Sequence, residues 1–267
     1  MLGFTKDEII EMMEKQDISQ KEQEEILPIL KENYDGYKFS LRADLNMYNS
    51  NMCLYFLNEY TSLKRIPSKL IDMNIASDYS KLGRMLDLCK GENRLEMLEK
   101  TVSGEGIVTD ITEKFNPEIV FGDKEFASML LYLGYLTIDK ERLGKPELKI
   151  PNKIMREIYS DYFLNIVNKV AELRIEENEY NKILEELALE GKIDTILELL
   201  HKYLNNLSNR DFIKFDEKYV KLIVYCIAMN LKLFAVKSEM EVNRNYPDLL
   251  LVPKDKTKGY KSVMIEF

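Results

Sequence analysis

Apolar residues recur at helical spacing through most of the first two thirds of the chain. Thr5-Lys6-Asp7-Glu8 has the spacing of a capping box, and Ile9, Ile10, Met12 and Met13 follow as the apolar stripe of a short helix. Ser19 to Glu22 repeats the signature and opens a second helix toward Asn33, with Pro28 inside it expected to kink it. Asp35-Gly36 then marks a turn between aromatic residues in Tyr34-Asp35-Gly36-Tyr37-Lys38-Phe39. Tyr48-Asn49-Ser50 offers another cap, followed by the apolar positions Met52, Leu54, Tyr55, Phe56 and Leu57 of a third helix. Further helices are predicted over Ile75 to Leu88 and Leu95 to Val102, a strand at Ile107-Val108-Thr109, and a helix over Asp123 to Leu133.

Gly134 releases the chain into a strand at Tyr135 to Ile138, and Gly144-Lys145-Pro146 turns it into a second at Glu147 to Ile150. Pro151-Asn152 opens the next helix, through Met155, Ile158, Tyr159, Tyr162 and Phe163. Helix, two-stranded wing and helix is the order of a winged-helix-like unit, with the hairpin near 135–150. From Glu176 to Glu198 eight acids stand against Lys182 and Lys192, while Ile183, Leu184, Leu187, Ile193, Ile196, Leu197 and Leu200 keep helical spacing. That pattern reads as a helical pair with one solvated acidic face. Beyond Asn209 the character changes: one apolar helix, Phe215 to Leu231, precedes short strands at Leu233 to Val236, Asp248 to Val252 and Ser262 to Ile265. The loop Lys254 to Gly259 makes the last two a hairpin. The fold class expected is α+β, mostly α, in three parts: a helical region over 1–150, a helical connector over 151–205, and an α/β module over 206–267.

At 267 residues and 45% hydrophobic content the chain can bury a real core, which excludes disorder and disulfide-stapled miniproteins. The longest apolar run, Leu222 to Met229, is under half of the roughly 18 residues a membrane helix needs. Met1 to Thr5 carries no basic and apolar leader, so the expected location is cytoplasmic, with no membrane partner. Cys53, Cys89 and Cys226 are scattered and His201 is the one histidine, which leaves no structural zinc site and no histidine-based nucleophile scheme. The cysteines are expected as buried thiols, and His201 as a structural residue near a helix end. No Gly-x4-Gly-Lys-Ser/Thr and no Gly-x-Gly-x-x-Gly occurs, so this chain holds no phosphate cradle for ATP or a dinucleotide.

The carboxylates of the last strands are the candidate chemistry. Asp248 opens one strand and Glu266 lies on the next, so the two can point to one side and share a hard cation such as Mg²⁺, together with water and phosphate. Glu217, at the start of the preceding helix, can add a third side. Glu239 and Glu241 lie upstream of the pair. Net charge is −8, from 38 basic and 46 acidic residues, which opposes nonspecific nucleic-acid binding. Lys232 to Phe267 is locally basic, seven cations against five acids, which suits a phosphate backbone and equally suits an edge strand protected by lysines.

Leu2-Gly3-Phe4-Thr5, the Tyr34 to Phe39 segment, Met47-Tyr48-Asn49-Ser50 and Leu133 to Ile138 resemble, in order, landmarks of the bacterial AAA-ATPase-like proteins that carry a C-terminal PD-(D/E)XK nuclease-like domain. Glu217-Lys218-Tyr219, Ser238-Glu239-Met240-Glu241, Pro247-Asp248-Leu249-Leu250-Leu251 and Ile265-Glu266-Phe267 resemble the nuclease part of the same family, which implies an incomplete restriction-endonuclease-like fold for 206–267. The resemblance implies Asp248 and Glu266 as Mg²⁺ ligands and, with Glu217, as the catalytic set for metal-dependent phosphodiester hydrolysis of DNA or RNA. It also implies an ATPase core ahead of Gly3 and a lysine following Phe267, so the chain reads as a piece of that protein, with little or no activity by itself. Asn243, Asn245 and Tyr246 stand where the family has glycines and an arginine, and Lys221 stands where a histidine is common. The competing expectation is a non-enzymatic helical adaptor that binds a protein partner or nucleic acid through the wing.

Overall fold

The computed structural model describes residues 3–71, 94–113, 122–207, 217–238 and 248–267. The predicted helix Ile75 to Leu88, Cys89, and the segment holding Glu239, Glu241, Asn243, Asn245, Tyr246 and Pro247 lie outside them. The fold is α+β and mostly helical, with small antiparallel sheets. It divides into two compact units, Met1–Tyr159 and Ser160–Phe267.

The first unit opens with β1 (Gly3–Phe4), α1 (Lys6–Lys15), α2 (Gln20–Tyr34), β2 (Tyr48–Asn49) and α3 (Ser50–Leu63). Both predicted capping boxes form. Thr5 and Glu8 exchange bonds of 2.7 and 3.2 Å, and Ser19 and Glu22 bonds of 2.8 and 3.4 Å, which satisfies backbone N–H groups that a helix start leaves unpaired. The second carboxylate oxygen of Glu22 accepts from Tyr60 Oη at 2.9 Å and so ties α2 to α3. Pro28 sits inside α2. Ile9, Met13, Ile26, Leu30, Phe56 and Tyr34 form a buried core, in which the Tyr34 and Phe56 rings meet edge to face at 6.2 Å. The pairing of β1 with β2 has no counterpart in the sequence pattern, because two-residue strands are shorter than any periodicity can reveal.

The Asp35-Gly36 turn is held against the start of a later helix, α6 (Lys153–Ala171). Asn152 caps that helix through Met155 N at 3.1 Å while its Nδ2 donates to Asp35 O at 3.0 Å. Gly36 has φ +99°, and a Cβ there would lie 2.2 Å from the Pro151 carbonyl oxygen. Beyond the turn, the Lys38 carbonyl accepts from Ile138 N and its N–H donates to Thr137 Oγ1, which joins this segment to β4 (Thr137–Arg142).

Between these segments lie α4 (Arg94–Ser103), β3 (Ile107–Val108), α5 (Asp123–Tyr132), β4 (Thr137–Arg142) and β5 (Lys145–Lys149). The predicted two-stranded wing is the β4–β5 hairpin, and β3 adds to it as a third strand, in the order β3-β5-β4. At its tip Leu143 adopts φ 54° and is 93% exposed. Glu147, buried on the central strand, lies 3.8 Å from Lys140 Nζ and 3.9 Å from Arg142 Nη1.

In the second unit α6 is followed by α7 (Glu177–Glu185), a π turn (Glu186–Glu190), α8 (Asp194–Leu207), α9 (Glu217–Asn230), and the strands β6 (Phe234–Ser238), β7 (Leu249–Pro253) and β8 (Val263–Ile265). The acidic pair of helices appears as expected, but Glu186 does more than face solvent. It accepts from Thr195 N at 2.8 Å and Thr195 Oγ1 at 2.6 Å, which fastens the start of α8. The π turn was not predicted. It ends at Gly191, φ +70°, where Lys261 from the β7–β8 loop bonds Ala188 O through its backbone N–H and Glu190 O through Nζ, both at 2.9 Å.

Candidate active-site corner

Alternation in the last sheet decides where the carboxylates point. The order is β6-β7-β8, antiparallel throughout, with Leu249 opposite Ile265, Leu250 opposite Met264 and Leu251 opposite Val263. Leu249, Leu251, Val263 and Ile265 are buried, whereas Met264 is exposed. With side chains alternating across a strand, the other face carries Leu250 and Met264. The pairing ends at Leu249 and Ile265, and Asp248 and the exposed Glu266 follow it at the same end of the hairpin. Like charges at one strand end destabilise it unless a cation intervenes.

That cation comes from α9. Lys221 Nζ donates to Asp248 Oδ1 at 2.8 Å, and the Phe267 backbone N–H donates to Oδ2 at 3.0 Å. The Lys221 and Asp248 side chains are 21% and 29% exposed. The lysine bond foremost, and the Phe267 N–H after it, hold the Asp248 carboxyl below its ordinary 3.8. A carboxyl lowered in the folded state adds stability above its unfolded value, and that stability is lost as pH falls below 3.8 through the folded value. Asp248→Asn is therefore expected to flatten the acid limb of a plot of urea midpoint against pH below about 4, with little change in its slope at neutral pH.

Glu217, exposed at the first turn of α9, precedes Lys221 by one helical turn and so lies on the same side of the helix. The structure thus bonds Lys221 to Asp248, sets Glu217 one turn from that lysine, and leaves Glu266 at the neighbouring strand end. Among the described residues no group of three or more His, Cys, Asp or Glu side chains is arranged to hold a metal. Carboxylates such as those of Asp248 and Glu266 are oxygen donors of the kind that Mg²⁺ takes. Lys261 is bound to the π turn and so turned away from the corner.

Sequence reasoning gave Lys221 no role. Its signal was the one charge in the otherwise apolar stretch Tyr219 to Ala228, where every other position from Leu222 to Ala228 is buried. Cys53 and Cys226 are buried free thiols, and burial pushes Cys53 up to about 12 and Cys226 higher, which removes them as nucleophiles at neutral pH. His201 is exposed on α8. No described helix is long and apolar enough to cross a membrane. No protein-family model, curated protein or solved structure matches this chain.

Proposed function

We propose that the Asp248 corner is the metal-binding part of a phosphodiester hydrolase, completed by chain outside these residues. The observation that carries the reading is the β7–β8 register, whose last pair, Leu249 with Ile265, leaves Asp248 and Glu266 at one end of the hairpin, with Lys221 bonded to the first. Bound there, Mg²⁺ would polarise a phosphate and lower the pKa of a metal-bound water. Asp248 and Glu266 would hold the ion, and Glu217 would assist from α9 by accepting a proton from water. The helix α9 followed by β6-β7-β8 supports the restriction-endonuclease-like assignment, and the resemblance adds a lysine after Phe267 and an ATPase region ahead of Gly3. DNA and RNA are the substrate classes.

The test begins with this chain. Calorimetric titration is expected to show Mn²⁺ or Mg²⁺ binding at millimolar affinity or tighter, lost in an Asp248→Ala, Glu266→Ala double variant. A chain extended past Phe267 should then cleave DNA or RNA only with the divalent ion, and the double variant should lower the rate by a factor of about 100 or more. Equal binding by wild type and double variant, or an extended chain that cleaves neither nucleic acid, defeats the proposal.

One feature favours a second reading. Leu143 combines near-complete exposure with a left-handed backbone at the wing tip, between Arg142 and Lys145. The left-handed backbone is costly for leucine, and such backbone strain concentrates at binding sites. The order α5, β4–β5, α6 supports a winged-helix-like module that binds nucleic acid or protein without catalysis. This reading leads if the divalent titration is negative.

A further inference from the structure

Helix α8 buries one face and leaves a second apolar row partly open. Ile193, whose carbonyl accepts a bond from Leu197 N at the start of α8, is followed by Leu197, Leu200, Leu204 and Leu207 at steps of four, three, four and three. That is the a/d spacing of a coiled-coil strand, with Leu197 and Leu204 at a and Ile193, Leu200 and Leu207 at d. Leu200 and Leu207 are buried in the chain's own core, whereas Leu197 and Leu204 are 52% and 41% exposed. The neighbouring α7 and π turn do not cover the row. They are met by Thr195, Glu198 and Lys202, which face Glu186, Lys182 and Glu179 from a shoulder about 140° round the helix.

We infer that the leucine row is a contact surface for a second copy of this chain, whose α8 lies antiparallel against it. Two properties single out that occupant. An antiparallel pair of identical helices sets a positions against d positions of its mate, and one register places Leu197 and Leu204 against the second copy's Leu200 and Ile193. Each exposed leucine then fills the space over a recessed residue. The same register decides the charges. In antiparallel packing the e positions beside the row face one another, and those of α8 are Asp194 and His201, both exposed. Asp194 of each copy therefore stands beside the second copy's His201, once on either side of the two-fold axis. A parallel pair sets e against g instead, and the g residues Ile196 and Tyr203 are buried, so it gains no such contact. Two exposed leucines per copy do not supply the roughly 800 Å² per partner of a standard interface, so the dimer is weak, with a dissociation constant of about 10–100 µM.

The experiment is sedimentation equilibrium of the full chain from about 5 to 500 µM, in about 0.15 M salt so that the charge of −8 on each copy is screened. A monomer–dimer equilibrium is expected, with circular dichroism as the folding check on every variant. Leu197→Ala, Leu204→Ala should weaken it at least tenfold; Leu197→Gln, Leu204→Gln serves if the alanine variant misfolds. Asp194→Lys, which faces the histidine with a like charge, should weaken it about fivefold, and Asp194→Lys, His201→Asp, which exchanges the two charges, should return it to within about a factor of two of wild type. A chain that stays monomeric to about 500 µM, or a dimer that neither leucine variant weakens, overturns the inference. A dimer that the leucine variants weaken but the charge exchange does not restore overturns the antiparallel register.

Discussion

Gly36→Ala is expected to destabilise the first unit by about 3 kcal/mol or more, a large part of the 5–15 kcal/mol that holds an ordinary domain together. Two costs combine at this position. The φ of +99° is one that an alanine adopts only with strain, worth about 1–2 kcal/mol. The added Cβ would also stand 2.2 Å from the Pro151 carbonyl oxygen, a backbone atom that cannot swing away as a side chain can. To relieve the clash, the turn and the start of α6 have to separate, and the Asn152 bond to Asp35 O lies across that junction. Gly144→Ala isolates the first cost: φ is +79° there, and nothing lies within 4 Å of the new Cβ. Chemical unfolding of both variants should give a loss near 1 kcal/mol for Gly144→Ala and at least twice that for Gly36→Ala. Equal losses would mean that the close approach to Pro151 carries no energy.

Phe163→Ala should cost the second unit about 3–5 kcal/mol. Phe163 is fully buried on α6, and its ring meets Tyr219 of α9 edge to face at 5.8 Å. Truncation removes the transfer energy of the ring and leaves a cavity that the neighbouring helices can close only in part. The cavity opens beneath the first turns of α9, two residues from Lys221. Hydrogen exchange should therefore speed up over Tyr219 to Ile223 before it does so in α8, and the unfolding midpoint should drop. Phe163→Leu, which keeps most of the volume, should recover more than half of the loss. A Phe163→Ala variant with wild-type stability would show that α9 is fixed by contacts other than this ring.

The helices were legible wherever local chemistry decides them. Thr5 with Glu8, Ser19 with Glu22, and Asn49 ahead of α3 carry their capping signal within four residues, and each cap forms as the spacing predicts. The last three strands were readable as short apolar runs, but Leu249 to Pro253 is apolar at every position, so the face it buries shows only in the alternating burial of the structure. What escaped depends on distant residues. The π turn exists where Lys261, far along the chain, bonds its carbonyls, and β3 becomes a strand because Leu148 and Glu147 offer it an edge. At the candidate site, the strand order and the hairpin loop were enough to place Asp248 and Glu266 at the ends of adjacent strands. The part taken by Lys221 did not, since helical spacing places it on α9 but says nothing of which strand end that turn meets.

The bond from Lys261 to Glu190 also bears on how the chain is made. It closes a separation of 71 residues, and synthesis at roughly 5–20 residues per second spends about 4–14 s between the two. For that interval α7 and α8 stand on the nascent chain without the loop that completes the π turn, and loop closure over such a span comes late in folding as well. Two links available to them early are local: Glu186 to Thr195, nine residues apart and synthesised within about 2 s, and Lys202 to Glu179, 23 residues apart. Glu186 and Glu179 thus join the acidic helical pair through partners made before the strands.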